Sequence, residues 1–288
     1  MPSAIASDAT GFPLTQDQKY AFTVFASITF YTCIEVIILC LSTFKRYRGL
    51  YFWCLLLTSC SVIVNTLGFL FFFFVPVSPY FSITVIILGW CVMVTGHSIV
   101  LWSRLHFVLQ YPTLLRAILY IIIANAICMC IPTTVLLYGA VNPSPFAETR
   151  IKPGNPFAAG YNIMERIQLV VFCLQEVLIS IIYIWETSKL LRLRPNNPSK
   201  DHRIILTQLL AINIIILVLD IIVVVFQYAG LFALQVGFKP MAYSIKLRLE
   251  YAILGRLVHL ATGGVAVSME TSSAQDVGSS IVKSWHIN

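Results

Sequence analysis

The stretch ERIQLVVFCLQEVLISIIYIWE, from Glu165 to Glu186, decides which kind of fold this chain can adopt. Its length is close to the roughly 20 apolar residues that a helix needs to cross a bilayer. It nevertheless contains three glutamates, and Glu176 lies near its middle. A carboxylate at the centre of a membrane helix costs roughly 2.5–3.5 kcal/mol on insertion scales, so it has to face protein or water. The stretch therefore predicts a helix inside a bundle of membrane helices, with a specific task for Glu176.

The composition of the whole chain also indicates a membrane protein. Of its 288 residues, 58% are hydrophobic and 11% are charged, and the mean hydropathy is +0.85. Soluble proteins carry about 25% charged residues. The net charge is +7, but no soluble segment is long enough for a nucleic-acid-binding domain. We therefore expect the lipid bilayer as a partner and no nucleic acid.

Seven apolar segments are long enough to cross a bilayer, so the sequence predicts an all-α, polytopic protein with seven transmembrane helices. The predicted organisation is a polar N-terminal tail over residues 1–19, the bundle over 20–262 and a disordered cytosolic tail over 263–288. The seventh segment contains five ionisable residues and could instead be an amphipathic helix on the membrane surface. The segments are Tyr20–Thr43, Tyr51–Phe74, Phe81–Ser103, Leu114–Tyr138, Tyr161–Trp185, Ile204–Tyr228 and Met241–Ala261.

Basic residues near the helix ends predict the orientation. One side of the membrane would carry ten of them and the other side four. The positive-inside rule then places the N-terminus outside and the C-terminus in the cytosol. The polar N-terminal piece has no basic region, so we expect no cleavable signal, and the endoplasmic reticulum is the default location. The ten are Lys45, Arg46, Arg48, Arg104, Arg116, Lys189, Arg192, Arg194, Lys200 and Arg203, and the four are Lys19, Arg150, Lys152 and Lys239.

Ionisable side chains inside the predicted helices form the candidate site. At about 1.5 Å per residue, Glu35, His97 and Glu176 lie at a similar depth in the inner half of the membrane. Asp220 lies in a shallower layer, about 12 Å below the outer surface, and Glu250 is at a similar depth. Such residues usually mark a function, and these five are the candidate catalytic residues.

Ion pairs that hold the helices together are the alternative interpretation of the same residues. Asp220 could pair with Arg248, and Lys246 could pair with Glu165 or with Glu250, which is four residues further along one helix face. Arg104 and His106 are predicted at the cytosolic interface, where long basic side chains can extend towards water.

Several well-known chemistries are not indicated. The sequence contains no P-loop, no G-x-S-x-G and no H-E-x-x-H motif. Only one of the five histidines is mid-membrane, so we expect no metal site and no cofactor. A class A receptor would carry D-R-Y in helix three and N-P-x-x-Y in helix seven, and both are absent. A retinal protein would need a lysine in the middle of helix seven, whereas Lys246 falls near the start of the predicted segment.

Four stretches resemble a family of fungal seven-helix membrane proteins over roughly Tyr20 to His259. This family is akin to the membrane-bound terpene cyclases of meroterpenoid pathways, of the ascofuranone and ascochlorin type. The resemblance implies an enzyme of secondary metabolism that acts on a lipophilic small molecule. The stretches are KRYRGLYFWCLLL (45–57), MVTGHSIVLWSRLH (93–106), ERIQLVVFCLQEVLISIIYIWE (165–186) and YSIKLRLEYAIL (243–254).

The chemistry that the resemblance implies is the protonation of a terminal epoxide on a prenyl chain, followed by ring closure of the resulting cation. The proton donor must be a carboxylic acid that burial keeps neutral, and Asp220 and Glu176 are the candidates. Glu35 or Glu250 could act as a base or hydrogen-bond the acid. A seven-helix receptor or sensor of unknown ligand is the alternative function, followed by a transporter or scaffold. Aromatic faces stabilise carbocations, and the candidates are Trp90, Phe172, Tyr183, Phe226 and Tyr228.

Overall fold

The computed structural model of the protein describes residues 16–43, 50–75, 77–106, 109, 111–140, 156–192, 200–229 and 234–252. These residues form seven helices and no strand, which confirms the all-α prediction. Most of the predicted N-terminal tail, 1–19, and all of the predicted C-terminal tail, 263–288, lie outside the described residues. The helices are α1 (Gln16–Thr43), α2 (Leu50–Phe74), α3 (Pro79–Leu105), α4 (Pro112–Ala140), α5 (Pro156–Arg192), α6 (Lys200–Tyr228) and α7 (234–252).

Proline marks the beginning of three of these helices. α3 begins at Pro79, α4 at Pro112 and α5 at Pro156. Proline suits the first turn because its fixed φ matches the helix and its missing N–H would have no partner there. The Ser78 side chain also accepts a hydrogen bond from the Phe81 backbone N–H at 3.4 Å. Local sequence therefore determines where these helices start.

The outward faces of the first six helices are apolar. Leu57, Leu88, Ile163 and Leu174 are each 61–62% exposed, and each of the six helices is long and apolar enough to cross a membrane. Soluble monomers rarely expose so much contiguous apolar surface. We conclude that the chain is an integral membrane protein whose outer surface contacts lipid.

Small residues let α2 and α3 pack closely along their length. A Cβ atom added to Gly89 of α3 would lie 2.7 Å from the Asn65 Cα of α2. A Cβ atom added to Gly68 of α2 would lie 2.8 Å from the Ile86 backbone nitrogen of α3. Close approach at small residues is a main source of helix association in membranes, where lipid removes the hydrophobic driving force.

The α7 helix lies inside the bundle. Of its residues only Arg248 and Ala252 are exposed. It contacts α1 where the Tyr251 hydroxyl donates to the Leu39 carbonyl at 3.3 Å, and α2 where the Tyr51 hydroxyl donates to the Glu250 carbonyl at 3.1 Å. α7 is therefore not an amphipathic helix that lies on the membrane surface. Enclosure by apolar helices explains why this segment can be so polar.

The predicted start of the seventh helix was wrong. The sequence placed it at Met241, whereas the chain is already helical at residue 234, the first residue described in this segment. Hydropathy excluded the preceding turns because they contain Gln235 and Lys239. Both side chains face the interior of the bundle and line a cavity there, so low hydropathy marked an interior position and not a loop.

Candidate functional site

Lys246 of α7 is the centre of a buried ionic cluster, which we call the central cluster. Its ammonium donates to Glu176 Oε2 of α5 at 2.7 Å and to Asp220 Oδ1 of α6. The Tyr243 hydroxyl, one turn earlier on α7, donates to Glu176 Oε1 at 3.2 Å. Glu176 and Asp220, which are 1% and 7% exposed, are thus held together by a single lysine.

His97 of α3 completes the central cluster. Its Nε2 lies 3.7 Å from Glu176 Oε2, and its ring meets the Tyr243 ring edge-on at 5.3 Å between centroids. The predicted proximity of His97 and Glu176 is confirmed. The predicted shallower layer for Asp220 was wrong, because depth counted along separate helices ignores their offsets and the reach of the lysine side chain.

A second buried cluster, the inner cluster, is built around Arg104 of α3. Its guanidinium lies 2.9 Å from a Glu250 carboxylate oxygen of α7 and donates to Asn213 Oδ1 of α6 at 2.7 Å. The same group lies 4.4 Å from the centre of the Tyr183 ring of α5. The prediction that Arg104 extends to the cytosolic interface was wrong, since its side chain is 2% exposed. A buried carboxylate opposite it satisfies the charge inside the bundle.

The remaining ion pair lies near the surface. Arg248 of α7 lies 2.8 Å from Glu35 of α1, with the two side chains 51% and 25% exposed. The suggested pairings of Asp220 with Arg248, and of Lys246 with Glu165 or Glu250, were therefore wrong. The choice of partner depends on which helices are neighbours, and the sequence of one helix does not contain that information.

One cavity borders the central cluster, and a larger one adjoins it at Lys239. The larger cavity has a volume of about 480 Å³, part of which is open to the outside, and combines apolar walls with the side chains of Asn65, Trp90, Glu165, Gln235 and Lys239. The remaining residues of its wall are Phe69, Ile86, Ile87, Thr133, Leu137, Tyr161, Gln168, Val236 and Pro240.

The smaller cavity has a volume of about 340 Å³, part of which is open to the outside, and is lined by Asp220, Phe172, Cys173, Tyr243 and Lys239, among others. Lys239 borders both cavities. One oxygen of Asp220, Oδ2, has no hydrogen-bond partner among the described residues. The carboxyl group of Asp220 is thus anchored by one oxygen, and its other oxygen is buried without a hydrogen-bond partner among the described residues, in a residue that lines this cavity.

The candidate catalytic residues are separated into three places. Glu176, Asp220 and His97 meet in the central cluster, Glu250 lies in the inner cluster and Glu35 lies at the edge of the bundle. Of these five, Asp220 lines a cavity.

The aromatic candidates are also separated. Trp90 borders the larger cavity and Phe172 the smaller one, with their ring centroids 6.3 Å apart. Tyr183 belongs to the inner cluster, and Phe226 packs on Phe238 at 5.1 Å. Tyr228 is 60% exposed. Of the five aromatic candidates, Trp90 and Phe172 are therefore the two that line a cavity.

Sequence reasoning missed Gln235, Lys239 and Tyr243 as site residues, and one signal could have found them. Gln235, Lys239, Tyr243, Lys246 and Glu250 recur every three or four residues along α7, so they share one helix face. All five contact a cluster or line a cavity. The polar residues at this spacing form a stripe along α7, and this stripe identifies the face that points into the bundle.

At least twelve helical residues of α7 precede Lys246, because the helix begins earlier than predicted. The argument against a retinal-type lysine from its position was therefore wrong. Lys246 does not border either cavity, however, and its ammonium is held by two carboxylates. Within the described residues no group of three or more His, Cys, Asp or Glu side chains could hold a metal ion.

Comparison with known proteins identifies the family of the chain. A family model described as a domain of unknown function, DUF7703, matches residues 10–268. A comparison with curated proteins gives no match. The matched range includes all seven helices, both cavities and both clusters. The chain therefore belongs to the DUF7703 family.

Proposed function

We propose that the protein is a membrane-bound cyclase that starts the ring closure of a prenylated small molecule by protonating it. The observation that carries this proposal is the position of Asp220. Its carboxyl group has one oxygen without a partner, beside a cavity whose wall includes the ring of Phe172 and that of Tyr243. An acid and aromatic faces around an enclosed space are the groups that a cationic cyclisation needs.

The charge of the central cluster supports Asp220 as the proton donor. Two carboxylates and one ammonium carry a net charge of −1, and burial makes that charge costly. One added proton makes the cluster neutral. Glu176 is occupied by both Lys246 and Tyr243, so the free oxygen of Asp220 is the place where this proton can reach a substrate.

The reaction balances without a cofactor. The Asp220 proton moves to the epoxide oxygen, and the C–O bond opens to leave a carbocation and a hydroxyl group. The electron pair of a double bond, or a hydroxyl group of the substrate, closes the ring, and a proton lost from the product returns to the central cluster. The product is an isomer of the substrate, and the ring of Phe172, which lines the smaller cavity, stabilises the cation.

The proposed setting is a seven-span protein of the endoplasmic reticulum with its N-terminus outside and its C-terminus in the cytosol. The burial of α7 and the charge of the loops support this topology. A lipophilic substrate would then enter from the bilayer. An epitope tag at each end, tested for antibody access in sealed microsomes, checks the orientation, and two tags on the same side would contradict it.

Microsomes that contain the protein test the reaction, with a prenyl phenol that carries a terminal epoxide as substrate. The wild type should convert it to a cyclic isomer of the same mass. Asp220→Asn should lose at least about a hundredfold in rate, because general acid catalysis contributes about 10²–10⁴-fold. Glu186→Gln, which changes a carboxyl group at the far end of α5, is the matched control and should retain the rate.

A receptor or sensor is the second candidate, and the inner cluster favours it. Arg104, Asn213 and Glu250 connect α3, α6 and α7 in one buried contact. Such a link can have two states that a ligand shifts. Ligand-dependent recruitment of a G protein, together with an unconverted epoxide, would favour the receptor over the cyclase.

A further inference from the structure

Lys239 is a cation outside both ionic clusters. Its ammonium lies over the Trp90 ring, 5.6 Å from the centroid, and it forms no ion pair with any residue that the structure describes. Glu165, which borders the same cavity, attracts this ammonium from beyond ion-pair distance. An ammonium without a direct partner among apolar helices is still costly. It would also repel a carbocation formed in the adjoining smaller cavity, so an anion in direct contact with Lys239 would favour the proposed reaction.

The larger cavity also contains polar atoms without partners. Asn65 Oδ1 and Gln235 Oε1 accept no hydrogen bond, and Trp90 Nε1 donates none, within the part of the chain that is described. Asn65 and Gln235 are 2% and 1% exposed. Buried polar atoms are normally satisfied, so several unsatisfied ones around one cavity indicate a bound molecule that completes them.

The charges around the cavity favour an acid over a base as the occupant. Glu165 also borders this cavity, but its carboxylate is held by the side-chain amides of Gln227 and Gln235. The amides hydrogen-bond the negative group, whereas Lys239 has no anion within ion-pair distance among the described residues. A hydroxyl group on the occupant can in addition donate to the free oxygens of Asn65 and Gln235.

We infer that the larger cavity binds a hydroxylated carboxylic acid with an apolar chain. The carboxylate accepts from Lys239 and Trp90 Nε1, and the hydroxyl group donates to Asn65 or Gln235. The chain packs on the apolar walls, which include Phe69 and Ile86. The inference rests on the proposed function, because it takes this molecule to be the substrate of the proposed reaction. Lys239 then acts as a binding residue that neutralises the acid before the cation forms.

A series of matched ligands tests the site on the full chain in lipid nanodiscs. The probes are tritiated 3-hydroxydecanoate, decanoate without the hydroxyl group, and 1,3-decanediol without the acid. Binding to empty nanodiscs is subtracted. The wild type should bind 3-hydroxydecanoate about tenfold more tightly than the diol, since a hydrogen bond to a charged group contributes about 1.5–3 kcal/mol. Lys239→Met should remove the preference for the acid and Lys239→Arg should keep part of it.

The hydroxyl group is tested separately. Gln235→Met keeps the side-chain length, and it should lower the preference for 3-hydroxydecanoate over decanoate while the preference for acid over diol remains. Equal binding of acid and diol by the wild type would overturn the inference, and this comparison needs no variant to fold. Tighter binding of the corresponding amino alcohol than of the acid would also overturn it. Selective binding of the acid with no conversion of any epoxide would leave the inference standing and contradict the cyclase.

Discussion

The ammonium of Lys246 donates to Glu176 Oε2 at 2.7 Å across the interface of α7 and α5, with both side chains 1% exposed. Asp220 of α6 accepts from the same ammonium. The Lys246 ammonium thus connects α5, α6 and α7 inside an apolar bundle. Removing one partner from such a group leaves a buried charge uncompensated, which is more costly than never having the pair.

Lys246→Met should lower the free energy of unfolding by about 3–5 kcal/mol, because Glu176 and Asp220 would repel each other without their common partner. Titration with a denaturing detergent, followed by the loss of helical circular dichroism, measures the change. Lys189→Met, at an exposed position of α5, is the control and should have little effect. Combining Lys246→Met with Glu176→Gln and Asp220→Asn should restore much of the stability, and a further large loss would contradict this account.

Arg104 and Glu250 should be strongly coupled. Either Arg104→Leu or Glu250→Leu alone should cost about 3–5 kcal/mol, whereas the double variant should cost less than the sum. A double-mutant cycle in the same denaturing titration gives the coupling energy. Arg104→Lys should not rescue the stability fully, since a lysine cannot hold Glu250 and Asn213 in the same planar geometry. Additive single effects would show that the pair does not interact.

The exposed pair of Arg248 and Glu35 should contribute far less. Glu35→Gln should change the free energy of unfolding by at most about 1 kcal/mol, because solvent screens such pairs. The same substitution at Glu250 provides the buried comparison. A loss at Glu35 as large as that at Glu250 would mean that the two sites have a similar dielectric environment, contrary to their exposure.

Gly89 should tolerate no side chain. Gly89→Ala places a methyl group 2.7 Å from the Asn65 Cα, so α2 and α3 must separate, at a cost of about 1–3 kcal/mol. Gly160→Ala is the control, because its nearest neighbour is the flexible end of Leu136 at 3.2 Å. The two variants are compared by thermal unfolding in one detergent. Equal melting temperatures would contradict tight packing at Gly89.

The sequence predicted the first six helices well, for a simple physical reason. A helix in lipid must satisfy its own backbone and present apolar side chains over about 20 residues, so both requirements are visible in each segment alone. The segment 165–186 also indicated correctly that Glu176 faces protein. For α7 the same reasoning placed the start at least seven residues too late. That helix contacts protein on almost every side, and hydropathy indicates only which residues suit contact with lipid.

What the sequence by itself determined is the class of the protein, six long apolar helices and the inward position of Glu176. Which ionisable residues meet was decided by the tertiary structure alone. Lys246 joins Glu176 to Asp220, Arg104 pairs with Glu250, and Lys239 forms no direct ion pair with a described residue. The offset and neighbours of each helix determine which side chains come within hydrogen-bond distance. Those relationships depend on the packing of all seven helices at once, and a pattern within one helix cannot contain them.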